Sequence, residues 1–164
     1  MFQNLTYAFI ITVGISACNQ SADFSDVPEL TFISMSKDTL NQGINSDTLF
    51  VTLGFIDGDG DISISENNPD KLNLRVVDMR TGNISDKFLI PEIPVSGIAN
   101  GISGEMTIKM LGTCCIFPEM DSIPPCSVTP LYPDNEFIWQ YTLTDDAGNV
   151  SNSVTTTPIF VKCI

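Results

Sequence analysis

The chain has 164 residues, with 20 acidic against 7 basic side chains, no histidine and a formal charge of -13. That balance repels phosphate backbones and argues against nucleic acid as a partner, while a hydrophobic fraction of 43% is too high for a disordered chain. Without histidine the commonest general base is missing, and no phosphate-cradling glycine loop or metalloprotease helix is present, so a non-catalytic protein is expected.

The first element is an apolar run over residues 8–14, too short to span a bilayer and followed by Ile15-Ser16-Ala17-Cys18. Small residues are what a signal peptidase needs near its cut. The string resembles the lipobox of bacterial lipoproteins, although no Lys or Arg precedes the run as is usual there. The resemblance implies that residues 1–17 are a lipoprotein signal peptide and that Cys18 becomes the first mature residue, bearing diacylglycerol and an acylated amine. One acyl chain holds a membrane only reversibly, so the two or three that such a protein carries are needed for durable anchoring. Residues 18–28 form a polar tether with Asp23 and Asp26, similar to the acidic stretch in surface-exported lipoproteins of Bacteroidota. The expected address is the bacterial cell envelope, at the outer membrane and displayed outward.

Residues 29–164 suffice for one domain with a real core, and period-two patterning recurs along them where helical patterning does not. Strands are expected over residues 30–35 and over 48–56, where Leu49, Val51, Leu53 and Phe55 alternate with Thr48, Phe50, Thr52 and Gly54. Further strands are expected over 72–76, 87–90, 106–110, 137–144 and 154–161, about seven in all. Turn residues punctuate them at 57–61, 81–83, 97–101 and 145–149. The spacing predicts an all-β protein, an antiparallel β-sandwich of immunoglobulin-like type. Residues 141–151, Tyr-Thr-Leu-Thr-Asp-Asp-Ala-Gly-Asn-Val-Ser, resemble the penultimate strand and hairpin of bacterial immunoglobulin-like domains.

An insertion over residues 111–134 falls outside that pattern and carries five prolines with Cys114, Cys115 and Cys126. With Cys163 these make an even number of cysteines in an oxidising compartment, which favours two disulfides. Adjacent cysteines rarely bond each other, so Cys114 and Cys115 take Cys126 and Cys163 in one order or the other. A zinc site would want C-x2-C spacing or histidine, and neither is present.

Asp57-Gly58-Asp59-Gly60-Asp61 is the constellation with evident chemistry, because alternate carboxylates separated by glycines let a loop curl around a hard cation such as calcium. An EF-hand is excluded: Ile62 stands where glycine is needed, Asn68 where a bidentate glutamate is needed, and no helices flank the loop. The rival reading is an acidic turn closed by its own side chains, without metal. The same DGDGD string is common in small uncharacterised lipoproteins of Bacteroidota, which the chain resembles. If 49–56 and 137–144 are the second and sixth strands of the sandwich, the loops after them share one end. Asp145 and Asp146 then face Asp57, Asp59 and Asp61, and five carboxylates repel unless a cation or solvent screens them.

Trp139 and Tyr141 could form a platform for sugars, but they share a face with Phe137 and Leu143 and are expected in the core. Tyr141 is also placed to donate to a backbone group, as a corner tyrosine does. Phe50, Ile138 and Val77 are candidate exposed apolar residues. Asp38-Thr39-Leu40, Asp47-Thr48-Leu49 and Asp121-Ser122-Ile123 resemble the O-glycosylation acceptor of the same bacteria. Two roles remain: a lipid-anchored binding or structural module stabilised by calcium, with an envelope protein as partner, and a surface glycan-binding accessory of a nutrient-uptake system.

Overall fold

The computed structural model describes residues 24–43, 47–63, 72–91, 93 and 101–164. The leader, Cys18, the first part of the tether and most of the turn expected at 97–101 lie outside the described residues. The strands are β1 (Glu29–Met35), β2 (Thr39–Asn41), β3 (Thr48–Asp57), β4 (Leu74–Asp78), β5 (Asn83–Phe88), β6 (Ile102–Leu111), β7 (Asp134–Phe137), β8 (Trp139–Leu143), β9 (Val154–Thr155) and β10 (Ile159–Lys162). A single 3-10 turn, Glu119–Asp121, interrupts the connection from β6 to β7. The protein is all-β.

Three sheets form, in the orders β1-β3-β6, β2-β10-β7 and β5-β4-β8-β9. In the first, β3 pairs along its whole length with β6, from Thr48 opposite Leu111 to Asp57 opposite Ile102. The alternation of β3 explains why: Leu49, Val51, Leu53 and Phe55 all point into the core, and a slip of one residue would expose every one of them. The other two sheets run into each other. Ile138 separates β7 from β8, residues 156–158 separate β9 from β10, and the Thr156 amide bonds the Trp139 carbonyl over 3.0 Å across the junction. Inward side chains of all three sheets, among them Leu30, Val76, Trp139, Ile159 and Val161, share one apolar core, an arrangement consistent with a β-sandwich.

Each expected strand has a counterpart, with three differences of physical origin. The strand expected over 137–144 breaks at Ile138, whose carbonyl is taken by the amide of Met79 beyond the end of β4. The strand expected over 154–161 breaks before Pro158, which has no amide to give a ladder. The strand expected over 87–90 instead occupies Asn83–Phe88. It is an edge strand whose half-exposed, polar pattern does not read as a buried face. Val77, expected to be exposed, is buried, because β4 is a central strand and Val77 sits between Ile84 of β5 and Gln140 of β8.

The connection from β6 to β7 is bound down at many points. Cys114 joins Cys126, with Cα atoms 4.6 Å apart, and Cys115 joins Cys163, with Cα atoms 5.8 Å apart. Cys115, Phe117 and Cys163 are buried within the core. Arg80 Nη1 donates to the Cys114 carbonyl over 3.1 Å, and the Ile116 amide donates to Asn135 Oδ1 over 2.6 Å. No helix among the described residues is long and apolar enough to cross a membrane.

Candidate metal centre

The acidic loop begins where β3 ends. Asp57, the last residue of β3, keeps the inward phase of Leu49, Val51, Leu53 and Phe55, and that phase buries it completely. Beyond it the chain reverses through Gly60, whose φ of 78° lies in the left-handed region that glycine occupies without strain. The reversal brings one ligand atom from each of Asp57, Asp59 and Asp61 within 4.8 Å of one another. Oxygens bound to a single calcium ion at 2.3–2.6 Å are separated by distances of this order.

Hydrogen bonding leaves part of the cluster unsatisfied. The Asp61 amide donates to Asp57 Oδ2 over 3.0 Å, and the Ala147 amide donates to Asp61 Oδ2 over 2.9 Å. The remaining oxygens, Asp57 Oδ1 and Asp61 Oδ1, are buried without a hydrogen-bond partner among the described residues. Buried carboxylate oxygens without donors are costly, and native proteins satisfy nearly all such groups. Burial, then the charges of Asp59 and Asp61, push the Asp57 carboxyl up to about 6 against the pull of the Asp61 and Gly60 amides. Burial raises Asp61 as well, with the charges of Asp145 and Asp59 adding to it and the Ala147 amide opposing. Ionised together, the three carboxylates repel one another unless a cation, a proton or solvent screens them.

The loop after β8 lies against the first. The Asp146 amide donates to the Asp61 carbonyl over 3.0 Å. Asp145 is completely buried, and its carboxylate shapes its own turn: Oδ1 accepts from the amides of Gly148 (2.7 Å) and Asn149 (2.6 Å), and Oδ2 accepts from the Asn149 side chain (2.8 Å). Of the five aspartates singled out in the sequence, Asp57, Asp59 and Asp61 thus form the cluster. Asp145 stands behind it as a neighbouring charge, and Asp146 joins through its backbone.

No family model matches the chain, and no curated protein or solved structure is similar to it. The site therefore has to be read from its own geometry.

The other sequence candidates fall in three kinds of place. Trp139 and Tyr141 are 1% and 0% exposed, and Trp139 stacks edge-on against Phe137 with ring centroids 4.9 Å apart. The Tyr141 hydroxyl, expected to meet a backbone group, is buried without a partner among the described residues. Phe50 is exposed and Ile138 half-buried. Of the hydroxyls in acceptor-like sequences, Ser122 is exposed on the Pro-rich connection, whereas Thr39 and Thr48 are half-buried within strands. Sequence reasoning missed the parts of Ser25, whose carbonyl accepts from the Gly58 amide of the acidic loop, and of Asn149, whose side chain donates to the Asp26 carbonyl and to Asp145. Their contacts join positions far apart in the chain, and no local pattern signals them.

Proposed function

We propose that the protein is a non-catalytic, lipid-anchored module of the bacterial cell envelope, an immunoglobulin-like sandwich held by its N-terminus and stabilised at one rim by a divalent cation, calcium. Three sequence features support the address: the short apolar leader, the small residues before Cys18, and the polar tether behind it. The immunoglobulin-like reading draws on strand order. One layer is β1-β3-β6; the other runs from β2 to β10 with β9 leading into it, then to β7 with β8 continuing it, then to β4 and β5, and the loops after β3 and β8 come together.

The single observation that carries the cation is the pair of buried oxygens, Asp57 Oδ1 and Asp61 Oδ1, without a donor among the described residues and within a cluster of three carboxylates. Calcium suits an all-oxygen loop with one exposed aspartate, because it accepts six to eight oxygen ligands, waters included, in flexible geometry. Magnesium demands a stricter octahedron. The glycan-binding alternative draws on Trp139 and Tyr141 as a sugar platform, and both are core residues. The role that remains is a structural or partner-binding one within the envelope.

Two measurements test the reading. Labelled palmitate should incorporate into the full chain and fail to do so in Cys18→Ala. Calorimetric titration with calcium should give binding heat that Asp59→Asn removes. A chain that takes up no label, or one that takes up no calcium, overturns the corresponding half.

A further inference from the structure

Three stretches of chain meet at the acidic loop, and one of them leads to the tether. The Gly58 amide donates to the Ser25 carbonyl over 2.8 Å, and the approach is so close that a Cβ on Gly58 would lie 2.5 Å from the Phe24 carbonyl oxygen. From the other loop, the Asn149 side chain donates to the Asp26 carbonyl over 3.3 Å while also holding Asp145. The Phe24 ring also lies against Gly101, where a Cβ would come within 2.9 Å of it, while Ser25 and Asp26 are exposed, Val27 is 47% exposed and Pro28 is buried. Residues 24–28 therefore hang from two loops whose shape depends on how the rim carboxylates are neutralised.

We infer that cation occupancy of this site acts as a latch, fastening residues 24–28 to the sandwich when filled and releasing them when empty. The inference rests on the cation reading above. With a cation in place, Asp57, Asp59 and Asp61 are drawn inward and Gly58 is held where it meets Ser25. Without one, those carboxylates repel each other and Asp145 behind them, and the two hydrogen bonds lose their geometry. Linkage makes the effect reciprocal, so a fastened stretch tightens the cation by the same factor as the cation tightens the stretch. The consequence is that residues 24–28 are fixed to the module in calcium and released without it.

Hydrogen exchange on the full chain, in calcium chloride against a chelator, tests the latch. The amide of residue 58, which donates to the Ser25 carbonyl, should exchange slower in calcium by roughly tenfold or more, within the range usual for coupled sites. Asp59→Asn should abolish that protection. Gly58→Ala, which retains all carboxylates but sets a methyl against Ser25, should lose the protection and weaken calcium by the same factor. If calorimetry shows calcium bound while exchange of the residue-58 amide is unchanged, the latch is overturned and the cation site stands. Wild-type protection in Gly58→Ala would likewise overturn the latch alone. If no calcium binds, both readings fall.

Discussion

The Asp61 amide bonds one oxygen of the Asp57 carboxylate, and the second oxygen of each residue is buried with no donor among the described residues. A metal loop and a plain acidic turn differ in how the protein answers calcium. At a hundredfold excess over its dissociation constant, calcium should raise stability by about 2.7 kcal/mol. Asp57→Asn should remove that gain and, by taking one charge from the crowded loop, make the metal-free protein more stable than the metal-free parent. Thermal melts in calcium and in chelator read both effects. A parent melt that ignores calcium would return the loop to a plain acidic turn.

The Tyr141 hydroxyl offers a second test, because burial pushes its ionisation far above the ordinary phenol range and no partner accepts its proton among the described residues. A corner tyrosine bonded to the backbone loses about 1–3 kcal/mol when the hydroxyl is removed. Here Tyr141→Phe should be neutral or stabilising in a urea melt. Trp139→Ala, by contrast, should cost about 3–5 kcal/mol, because it empties a core position that no neighbour can refill. A loss of more than about 1 kcal/mol in Tyr141→Phe would mean that the hydroxyl has an acceptor after all.

The two disulfides should not be equivalent. Cys115–Cys163 closes 48 residues and Cys114–Cys126 closes 12. In the chain-entropy account, removal by paired alanine substitution then costs roughly 4 and roughly 3 kcal/mol. The first pair also sits in the core, so its loss adds a packing defect. Denaturant melts of the two double variants should rank them in that order, and the reverse ranking would contradict it.

Asp47 predicts an acid limb. Its carboxylate accepts from Lys37 and from the amides of Asn41 and Thr48, and these hold its pKa down to about 2, from an ordinary value of 3.8. A folded pKa below the unfolded one contributes stability that is present above about pH 4 and lost as pH falls toward 2. The pair with Lys37 is partly exposed, so the effect should be about 1 kcal/mol. Asp47→Asn should flatten that part of the stability profile and leave the profile above pH 5 parallel to the parent's.

How much of this could be read beforehand varied from residue to residue. Leu49 to Phe55 announce β3 because one face is buried and the other is not. β2 spans three residues, too few for any period to register, and it is held by parallel pairing with β10 from the far end of the chain. Asn83 to Phe88 form an edge strand with little burial, so the hydrophobic pattern that marks strands is absent. At the site, the DGDGD string gave away the carboxylates and their curl. It could not show that Asp145 uses its oxygens on its own turn, nor that Ser25 and Asn149 close around the loop. Those outcomes depend on which amides folding brings near, and that is a property of the assembled sheets.

The bond from Cys115 to Cys163 has a mechanical corollary. Strand β10 ends at Lys162, next to Cys163. A pull on that end meets a covalent cross-link into the interior before it reaches any ladder between β10 and its neighbours. Load applied there is carried into the core by that bond and not by the ladders of β10 with β2 and β7, so those ladders are not peeled open one pair at a time.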